Sequence, residues 1–484
     1  MTEFELKFQV PRERAASVEA ALQRGAVERT RLRARYFDTA DAALARHCLV
    51  LRLRQEGRHL VQAAKGPGGR GFDRLEHEMP LAQHADTPDI SLHADHPVGK
   101  LLRRALDEAS SPLQPVFETD IVRHSRVLKA AGTSVEIALD QGRIRAGDAS
   151  LPVLELEFEL KEGNPATLVE LAQRWCEQHG LWLDPLSKSA AAWRLADGVQ
   201  QAPAVQAEAV QPQDSAQALL AAILDAGLAQ VLGNARELAA GNGGDEHVHQ
   251  LRVGLRRVRT ALRELGAWAP PGAIAQDLGD ALHEVFGVLG EHRDRSTLLP
   301  KLRAELEAVG APLAGWDAPL PDVAAVVRST DFQLPLLRLV ALVQELHAGA
   351  SGGLKGARKD ARARLHKLHR KTLRDGRKFR ALAAPQRHQV RKRLKRLRYL
   401  SELVRPLFDG KAVDRYVASL KQLQDALGAY QDAAAGRQMF AQHATEDGRA
   451  WFAAGWLTAR EEELAADCER ACRKTSGDVQ PFWT

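Results

Sequence analysis

The chain has 484 residues, too many for one typical hydrophobic core, and therefore predicts two or three domains. Its hydrophobic content of 45% and aromatic content of 5% are typical of a globular, helix-rich protein. No uninterrupted apolar run approaches the ~20 residues of a membrane-spanning helix, which argues against a membrane partner. Four cysteines do not make a disulfide framework, and MTEFELKFQV lacks a secretory layout, so a cytoplasmic location is expected.

The net charge of +6 conceals a strongly basic segment. Between Arg358 and Arg398 there are 18 Lys and Arg residues against two Asp, a local charge of +16. The remainder of the chain therefore sums to −10. A segment this basic predicts a polyanionic partner, with a solvated helical surface as the alternative.

Short segments of alternating polarity recur before residue 200, and this period of two indicates β-strands. In chain order the segments are EFELKF, VLRLR, HLVQAAK, DRLEHEM, FETDIVR, SVEIALD and LELEFELK. Helical patterns interrupt them near 12–24, 97–109 and 165–178. The stretch QQAPAVQAEAVQPQD then has the composition of a linker. The predicted organisation is a domain over 1–200, a linker over 201–214 and a second domain over 215–484.

Charged residues share faces along the predicted strands, because residues two apart in a strand point the same way. The sets are Glu3, Glu5 and Lys7; Arg52 and Arg54; Arg74, Glu76 and Glu78; Glu136 and Asp140; and Glu155, Glu157, Glu159 and Lys161. An antiparallel sheet with one wet face is the simpler interpretation of any single strand. If the sheet closes into a barrel, however, these charges face one interior. Carboxylates there would collect Mg²⁺ or Mn²⁺, and basic side chains would collect phosphate oxygens.

In their order along residues 1–200, these motifs resemble the CYTH, or triphosphate tunnel metalloenzyme, superfamily. The motifs are Glu3-x-Glu5-x-Lys7, Tyr36-Phe37-Asp38-Thr39, Arg52-x-Arg54, Lys65-Gly66, Arg74-x-Glu76-x-Glu78, Thr119 with Arg123, Glu136 with Asp140, Glu155-x-Glu157-x-Glu159, and Ser187-Lys188. The resemblance implies an eight-stranded antiparallel β-tunnel with a charged interior. Ala63-Ala64 before Lys65 departs from relatives that carry a hydroxyl or apolar residue there, but the lysine is present.

The resemblance also implies roles for individual residues. Metal ligands would be Glu3, Glu5, Glu155 and Glu157, and the catalytic set would be Glu3, Glu5, Lys7, Lys65 and Asp140. Substrate-binding residues would be Arg52, Arg54, Arg123 and Lys188. The expected cofactor is Mg²⁺ or Mn²⁺.

An internal repeat marks the second half of the chain. His249-Gln250-Leu251-Arg252 with Arg256-Arg257-Val258-Arg259 returns as His388-Gln389-Val390-Arg391 with Lys395-Arg396-Leu397-Arg398. Leu289-Gly290 with Arg293-Asp294 is echoed by Leu427-Gly428 with Gln431-Asp432. Two features shifted by nearly the same offset predict two related helical bundles.

Each repeated motif places a basic stripe beside an apolar stripe on a helix, because residues three and four apart share a helical face. The basic residues are His249, Arg252, Arg256 and Arg259 in the first copy, and His388, Arg391, Lys395 and Arg398 in the second. Two such helices could face each other across one basic groove, although a solvated flank is the alternative. The histidines could hydrogen-bond phosphate or bind metal, and few carboxylate co-ligands lie nearby. These motifs resemble the CHAD domain over roughly 215–484, which implies binding of inorganic polyphosphate.

The sequence thus predicts an α+β protein with an N-terminal eight-stranded antiparallel β-tunnel, flanking helices and a C-terminal all-α domain of two related bundles. The expected activity is metal-dependent hydrolysis of inorganic triphosphate to pyrophosphate and phosphate, with long-chain polyphosphate on the helical domain. Association with polyphosphate granules is an open alternative for its location. Thiamine triphosphatase or adenylate cyclase activity, and a non-catalytic polyphosphate-binding or targeting role, remain alternative functions. Nucleic acid is disfavoured because the basic helices have few aromatic residues for base stacking.

Overall fold

The computed structural model describes residues 2–68, 73–82, 85–130, 132–312, 315–316, 319–349, 353–478 and 480–483. The side chains of Thr2, Glu3, Asp73, Arg74, Glu284 and Asp478 lie outside this description. Two compact units are present. The N-terminal unit comprises Met1–Val205, Leu232–His247 and Ala324–Gln344, and the C-terminal unit comprises Gln206–Val231, Val248–Val323 and Glu345–Thr484. The predicted linker at 201–214 stays a prediction.

The N-terminal unit is built mainly of strands. They are β1 (Thr2–Gln9), β2 (Glu28–Asp38), β3 (Val50–Glu56), β4 (His59–Pro67), β5 (Asp73–Leu81), β6 (Gln114–Ala130), β7 (Thr133–Ala146), β8 (Ala149–Glu162) and β9 (Trp182–Leu183). Its helices within 1–205 are α1 (Ala15–Leu22), α2 (Ala43–Arg46), α3 (Pro97–Asp107), α4 (Pro165–His179) and α5 (Lys188–Ala196). Short 3₁₀ turns lie at Arg12–Arg14 and Ile90–His93.

Eight of these strands close into an antiparallel barrel. The hydrogen-bonded order is β5-β4-β3-β2-β6-β7-β8-β1, and β1 pairs in turn with β5. The two-residue strand β9 pairs with β1 on a neighbouring edge. Closure removes the free sheet edges and separates an interior wall from an exterior one. The predicted eight-stranded tunnel is confirmed.

The outer wall beside β1 is apolar and covered by helices. Leu6 and Phe8 are fully buried, and the Phe8 ring meets Phe158 of β8 edge-on with centroids 5.5 Å apart. Trp175 of α4 packs against Phe158 from the other side, at 6.0 Å. Complete burial of such a side chain contributes about 1.5–3 kcal/mol, so this layer fixes which face of β1 points inward.

One part of the barrel interior is apolar and packs against α5. Tyr36, Phe117 and Ile144 are buried there together with Ala192 of α5. The Phe117 ring lies 5.8 Å from that of Trp193. Helix α5 therefore closes this part of the interior, and its first residue, Lys188, is held near the charged part.

The strand and helix predictions for 1–200 agree with the structure, but β2, β9, α2 and α5 were not predicted. The predicted helices correspond to α1, α3 and α4, and each predicted strand segment lies within a strand. Strand β2 was missed, although Arg29, Arg31, Arg33 and Arg35 alternate there with residues that point inward. Residues 29–36, RTRLRARY, have an arginine at every second position as an alternating strand does, so this strand could have been predicted from the sequence.

The remaining helices follow residue 215. They are α6 (Ala216–Ala239), α7 (Asp245–Leu265), α8 (Leu278–Arg293), α9 (Leu299–Ala308), α10 (Val323–Arg328), α11 (Thr330–Ala348), α12 (Lys355–Gly376), α13 (Ala384–Leu403), α14 (Gly410–Ser419), α15 (Lys421–His443) and α16 (Ala450–Asp478). Short 3₁₀ turns occur at Gly266–Trp268, Phe379–Ala381 and Arg405–Leu407, and a π-helical turn occurs at Asp294–Leu298. The predicted all-α C-terminal domain is confirmed.

Helix α6 is, by length and composition, apolar enough to cross a membrane. Its apolar run is interrupted by Gln217, Asp225 and Gln230. Within the described residues, 61% of its most apolar window is buried inside the protein. Core helices of globular domains pass the same test.

Helices α7 and α13 are equivalent members of the repeat. Their predicted apolar stripes are buried, with Leu251 and Val390 fully enclosed. Two reciprocal ion pairs join the helices, Arg257 to Glu402 and Arg396 to Glu264, each at 3.3 Å. Arg257 and Arg396 occupy equivalent positions in the two copies, whereas Glu264 and Glu402 are one position out of register, so the two ion pairs are approximately reciprocal.

Candidate functional site

Cross-strand register places the predicted charged residues on the inner wall of the barrel. Arg123 pairs with Asp140, Asp140 with Glu155, and Lys7 with Glu157. Residues directly opposite in an antiparallel pair lie on the same face, so these side chains share one wall. Continuing around the barrel by the same register, that face carries Glu5, Glu136, Glu159, Glu76, Lys65, Arg52, Arg54, Tyr36 and Thr119.

Lys188 links the first turn of α5 to the acidic strands β7 and β8. Its Nζ lies 2.6 Å from Glu157, 2.8 Å from Asp140 and 2.9 Å from Glu155. Ser187 caps α5 by accepting a hydrogen bond from the Ala190 N–H at 3.1 Å, which fixes the start of the helix. One ammonium therefore contacts three carboxylates.

Arg123 and Lys7 complete the charge balance on the acidic side. The Arg123 guanidinium donates two hydrogen bonds of 2.7 Å to the Asp140 carboxylate and a further one to Glu157. Lys7 Nζ donates to Glu155 at 2.9 Å and also to the Leu186 carbonyl oxygen. These contacts bring together five of the residues predicted for the site.

The opposite part of the wall, formed by β3, β4 and β5, carries the cations Arg52, Arg54 and Lys65 beside the carboxylates Glu56, Glu76 and Glu78, and is hereafter the basic side. Lys65 Nζ lies 2.7 Å from Glu76. Arg52 lies 3.8 Å from Glu76 and 3.6 Å from Glu78, and Arg54 donates to Glu78 at 3.1 Å. The looser contacts of Arg52 leave its guanidinium available to an anion in the interior.

The carboxylates on β8 remain ionised at neutral pH. Burial by itself would raise the pKa of Glu157, but Lys188 and Arg123 lower it far below its usual range. The pKa of Glu155 is likewise lowered, because Lys188 and Lys7 outweigh its burial.

The cations of the inner wall stay protonated because neighbouring groups raise their pKa values. Burial alone would lower the pKa of Lys188, but Glu155 and Glu157 raise it well above its usual value. Burial would also lower the pKa of Arg52, whereas Tyr36 and Glu76 raise it. The interior is therefore a set of fixed opposite charges.

The acidic side supplies the hard oxygen donors that Mg²⁺ and Mn²⁺ take. Among the described side chains, no three His, Cys, Asp or Glu groups are already arranged as a cation site. Asp140, Glu155 and Glu157 instead face Lys188. Glu155 Oε2 is buried and accepts no hydrogen bond, although Lys188 Nζ lies 2.9 Å away, so this oxygen retains capacity for a cation. The donor chemistry fits a divalent ion.

The predicted metal ligands are not all described. The Glu3 side chain lies outside the described residues, and only its backbone pairing with Arg74 is known. Glu5 is half-buried on the inner face, where its charge raises the pKa of Arg123. The set of Glu3, Glu5, Glu155 and Glu157 stays a prediction.

Two polar residues near the acidic side were missed in the sequence. Gln9 Nε2 donates to Glu155 at 3.2 Å and to Asp184 at 2.9 Å. Asp184 also accepts a hydrogen bond of 2.9 Å from the Leu186 N–H, which orders the approach to Lys188. Gln9 could have been found, because it continues the alternating face of Glu5 and Lys7.

The motif at Asp38-Thr39 has a structural position. The Asp38 carboxylate accepts hydrogen bonds of 2.9 Å from the N–H groups of Leu44 and Ala45. Thr39 Oγ1 accepts one from the Ala43 N–H, also at 2.9 Å. Both side chains satisfy backbone donors at the start of α2. Tyr36 in the same motif belongs to the inner wall.

In the C-terminal unit, the two predicted basic stripes converge on one cluster. Burial and the charges of Arg256, Arg391, Arg293 and Arg252 lower the pKa of Lys395 to about 6. Burial and the charge of Arg256 lower the pKa of Arg252 to about 10. Such mutual effects require the cations of α7 and α13 to be close together. This set of Arg252, Arg256, Arg293, Arg391 and Lys395 is hereafter the basic cluster.

Two aspartates lie within the basic cluster without neutralising it. Arg293 lies 3.9 Å from Asp294 and 3.8 Å from Asp432. Burial and the neighbouring Asp432 raise the pKa of Asp294, despite the cations around it. Arg293 was noted only as part of the repeat, and the structure adds it to the cluster.

The other predicted polyphosphate-binding residues lie beside this cluster. His388 Nδ1 is 2.9 Å from Gln431 Oε1, and His249 is exposed. Arg259 donates to the Gly279 carbonyl oxygen at 3.0 Å. Arg398 pairs with Glu402 at 3.3 Å, a contact that satisfies part of its charge within α13.

The N-terminal unit is a closed antiparallel barrel whose inner wall carries paired carboxylates and basic groups. Duplicated basic helices follow it in the chain, and together these two parts define a class of protein. Residues 1–192 match the CYTH domain model, and residues 222–441 match the CHAD domain model. The chain therefore combines a CYTH domain with a CHAD domain.

Among the curated relatives is the inorganic triphosphatase of Haemophilus influenzae, 31% identical over 157 residues. That match covers 32% of this chain and 43% of the relative, so the chain spans less than half the length of that protein. An uncharacterized protein of Mycobacterium tuberculosis is 27% identical over 501 residues, which cover 92% of this chain and 90% of the relative.

Two solved structures are also similar. The CHAD domain from Ricinus communis is 24% identical, with a TM-score of 0.48, covering 58% of this chain and 98% of that one. A proposed adenylyl cyclase from Hippeastrum, with a dominant triphosphatase activity, is 20% identical with a TM-score of 0.29. The alignment covers 40% of this chain and 95% of that one.

Proposed function

We propose that the N-terminal unit hydrolyses inorganic triphosphate inside the barrel, releasing pyrophosphate and phosphate. The observation that carries this proposal is the division of one enclosed wall into an acidic side, with Asp140, Glu155 and Glu157, and a basic side, with Lys65 and Arg52. Triphosphate is a compact polyanion that the basic side would bind directly. The H. influenzae relative, an inorganic triphosphatase, supports the same substrate.

On the basic side, Arg52, Arg54 and Lys65 would bind and orient the phosphate chain. Guanidinium groups donate in pairs to phosphate oxygens, and a lysine supplies a compact charge. Some of the ion pairs between these cations and the carboxylates Glu76 and Glu78 are as long as 3.8 Å, so an incoming phosphate would replace weak contacts. Fixed donors of this kind stabilise charge that develops on phosphoryl oxygens as the bond breaks.

On the acidic side, Glu5, Glu155 and Glu157, together with Glu3, would hold Mg²⁺ or Mn²⁺. When bound, such an ion neutralises phosphate charge and lowers the pKa of a coordinated water. Lys7, Arg123 and Lys188 would keep the carboxylates ionised and in position. The carboxylates that would donate oxygen to the metal lie on strands, where side-chain positions are better defined than on loops.

For the C-terminal unit we propose binding of long-chain polyphosphate at the basic cluster. Arg252, Arg256, Arg391 and Lys395 crowd together with too few carboxylates to balance them, and a polyanion would relieve that repulsion. The cluster contains no carboxylate set comparable to β7 and β8 among its described residues. We therefore assign it binding without hydrolysis.

The test is phosphate release from tripolyphosphate, thiamine triphosphate, ATP and long polyphosphate, each with Mg²⁺, Mn²⁺ or excess EDTA. We expect tripolyphosphate to be turned over fastest and EDTA to stop the reaction. Lys65→Ala should raise KM and slow turnover, whereas the exposed Lys100→Ala should change neither. Faster turnover of thiamine triphosphate or ATP would replace the substrate assignment, and undiminished activity in EDTA would remove the metal requirement.

A further inference from the structure

The outer wall of the barrel carries arginines that the tunnel does not use. On β2, Arg29, Arg31 and Arg33 alternate with inward-facing residues and therefore point outward. Two strands away, Arg143 and Arg145 of β7 also face outward, because Asp140 and Ile144 of that strand face the interior. The register through β6 aligns the two rows, with Arg33 opposite Asp120 and Asp120 opposite Arg143. We call these five residues the outer arginine face.

Few carboxylates balance this face. Asp120 accepts two hydrogen bonds from Arg31, at 2.9 and 2.7 Å, and lies 3.8 Å from Arg33. Glu118 lies opposite Arg145 in the register. In the described part of the chain, no carboxylate lies within ion-pairing distance of Arg29, Arg143 or Arg145.

Neutral residues flank the outer arginine face on both sides. Gln55 of β3 pairs with Arg33, and Pro152 of β8 pairs with Arg143.

The face is concave and open to solvent. A depression of about 610 Å³ is lined by Arg29, Arg31, Asp120, Val122, Gln141, Gly142, Arg143 and Arg145. The side chains of Arg31 and Arg33 are 56% and 59% exposed. Behind the depression, a Cβ at Gly142 would lie 2.1 Å from the Asp120 carbonyl oxygen, so glycine permits the close approach of β6 and β7.

We propose that the outer arginine face is a second anion site, which binds a chain of condensed inorganic phosphate outside the tunnel. Arg29 and Arg143 lie two strands apart, roughly 10 Å across the sheet, and four register positions apart, about 13 Å along it, while Arg143 and Arg145 are about 7 Å apart along one strand. A single phosphate cannot contact all three unpaired guanidiniums, whereas an extended polyanion can. Guanidinium groups bind phosphate oxygens in pairs. The described lining residues include no aromatic ring for base stacking, which favours inorganic phosphate over nucleic acid.

The site can be tested on the full-length protein, residue by residue, by arginine modification with phenylglyoxal and peptide mass spectrometry. Long polyphosphate in excess EDTA should slow the modification of Arg29, Arg143 and Arg145 by at least about threefold, and rising salt should remove the protection. The exposed Arg12, Arg14 and Arg103 should react equally with and without polyphosphate. Unchanged modification of Arg29, Arg143 and Arg145 would overturn the proposal.

Matched variants distinguish a shaped site from general charge. In a triple variant, Arg29→Gln with Arg143→Gln and Arg145→Gln, polyphosphate should no longer protect Arg31 and Arg33. In the control, Arg12→Gln with Arg14→Gln and Arg103→Gln, that protection should persist. Persistent protection in the first variant, or equal protection by a single-stranded oligonucleotide at equal phosphate concentration, would contradict the assignment. Turnover is not the readout, so failure here leaves the tunnel proposal standing.

Discussion

Lys188 Nζ lies 2.6 Å from Glu157 Oε1, and the same ammonium contacts Asp140 and Glu155 at 2.8 and 2.9 Å. The lysine comes from the first turn of α5, whereas the carboxylates come from β7 and β8. A residue that follows the barrel strands in sequence thus holds the acidic side of the barrel together. Since each partner is nearly buried, loss of the ammonium leaves charges that water cannot reach easily.

Lys188→Met should therefore destabilise the N-terminal unit by about 3–5 kcal/mol near neutral pH, the cost of an uncompensated buried charge. The pKa of Glu157 is lowered in the folded protein, so its stabilising effect is present above the unfolded pKa and is lost as pH falls. The deficit of the variant should accordingly stay nearly constant from pH 8 to about pH 5 and shrink as pH falls below about 4.3, the ordinary glutamate pKa. Thermal unfolding across this range measures it.

Lys161→Met is the matched control for that variant. Lys161 also pairs with two carboxylates, Glu136 at 2.8 Å and Glu159 at 2.6 Å, but its side chain is 40% exposed. Its loss should cost about 1 kcal/mol or less. Equal destabilisation by both variants would show that the three contacts of Lys188 stabilise the fold no more than the exposed contacts of Lys161.

Glu5→Gln should reduce tripolyphosphate turnover by roughly 100-fold or more at saturating Mn²⁺, because it deletes a ligand charge at nearly constant volume. The melting temperature should change little, since Glu5 is only half-buried. Phosphate release and thermal unfolding of the same preparation provide the measurement. Glu13→Gln, on the exposed 3₁₀ turn before α1, should have no effect. Near wild-type turnover for Glu5→Gln would mean that Glu5 is not a metal ligand.

Lys395→Met should make the C-terminal unit more stable in the absence of polyanion, and more so at lower pH. The pKa of Lys395 is lowered to about 6 by burial and by Arg256, Arg391, Arg293 and Arg252. Between this value and about 10.4, the ordinary lysine pKa, the unfolded chain binds more protons than the folded one. Wild-type stability should therefore fall as pH decreases through this window, while that of the variant falls less. The gain in melting temperature at pH 7 should be about 2 °C or more.

With long polyphosphate present, the wild type should become the more stable of the two proteins, because polyphosphate should raise its melting temperature more than that of Lys395→Met. Melting curves with and without polyphosphate, at constant ionic strength, give the comparison. A parallel pH dependence for the two proteins would show that Lys395 stays protonated in the folded state.

Neutralising Arg252, Arg256, Arg391 and Lys395 together by substitution with Gln should reduce polyphosphate affinity by at least about 100-fold, since these charges converge on one place. The control neutralises Lys359, Arg362, Lys367 and Arg370, four exposed residues of α12. The control removes the same number of positive charges but leaves the basic cluster intact, so its loss of polyphosphate affinity should be about tenfold or less. Affinity for labelled polyphosphate, measured at two salt concentrations, decides between them. Equal losses would reduce the C-terminal unit to a general basic surface.

Period-two alternation along the chain predicted which strand residues share a face, and the resemblance to the CYTH superfamily supplied the closed tunnel. In the middle of β1 and β8, Leu6, Phe8 and Phe158 are buried outside the barrel while the charged residues between them face inward, so parity alone assigns the face there. The helical repeat was equally readable, because Leu251 and Val390 mark buried stripes at the same positions of α7 and α13. Strand β2 was not predicted, although its arginines alternate with inward residues over 29–36 as in the other strands.

Contacts between distant parts of the chain required the tertiary structure. Nothing in the local pattern pairs Lys188 with Asp140, or Gln9 with Asp184, because these partners are brought together by barrel closure and by the packing of α5. The same holds for Arg293 and Asp432, which meet only when the two copies of the repeat pack together. Sequence periodicity determines which face a residue occupies, since that depends on backbone geometry over a few residues. Which charge stands opposite which is decided by strand register and helix packing over more than 100 residues.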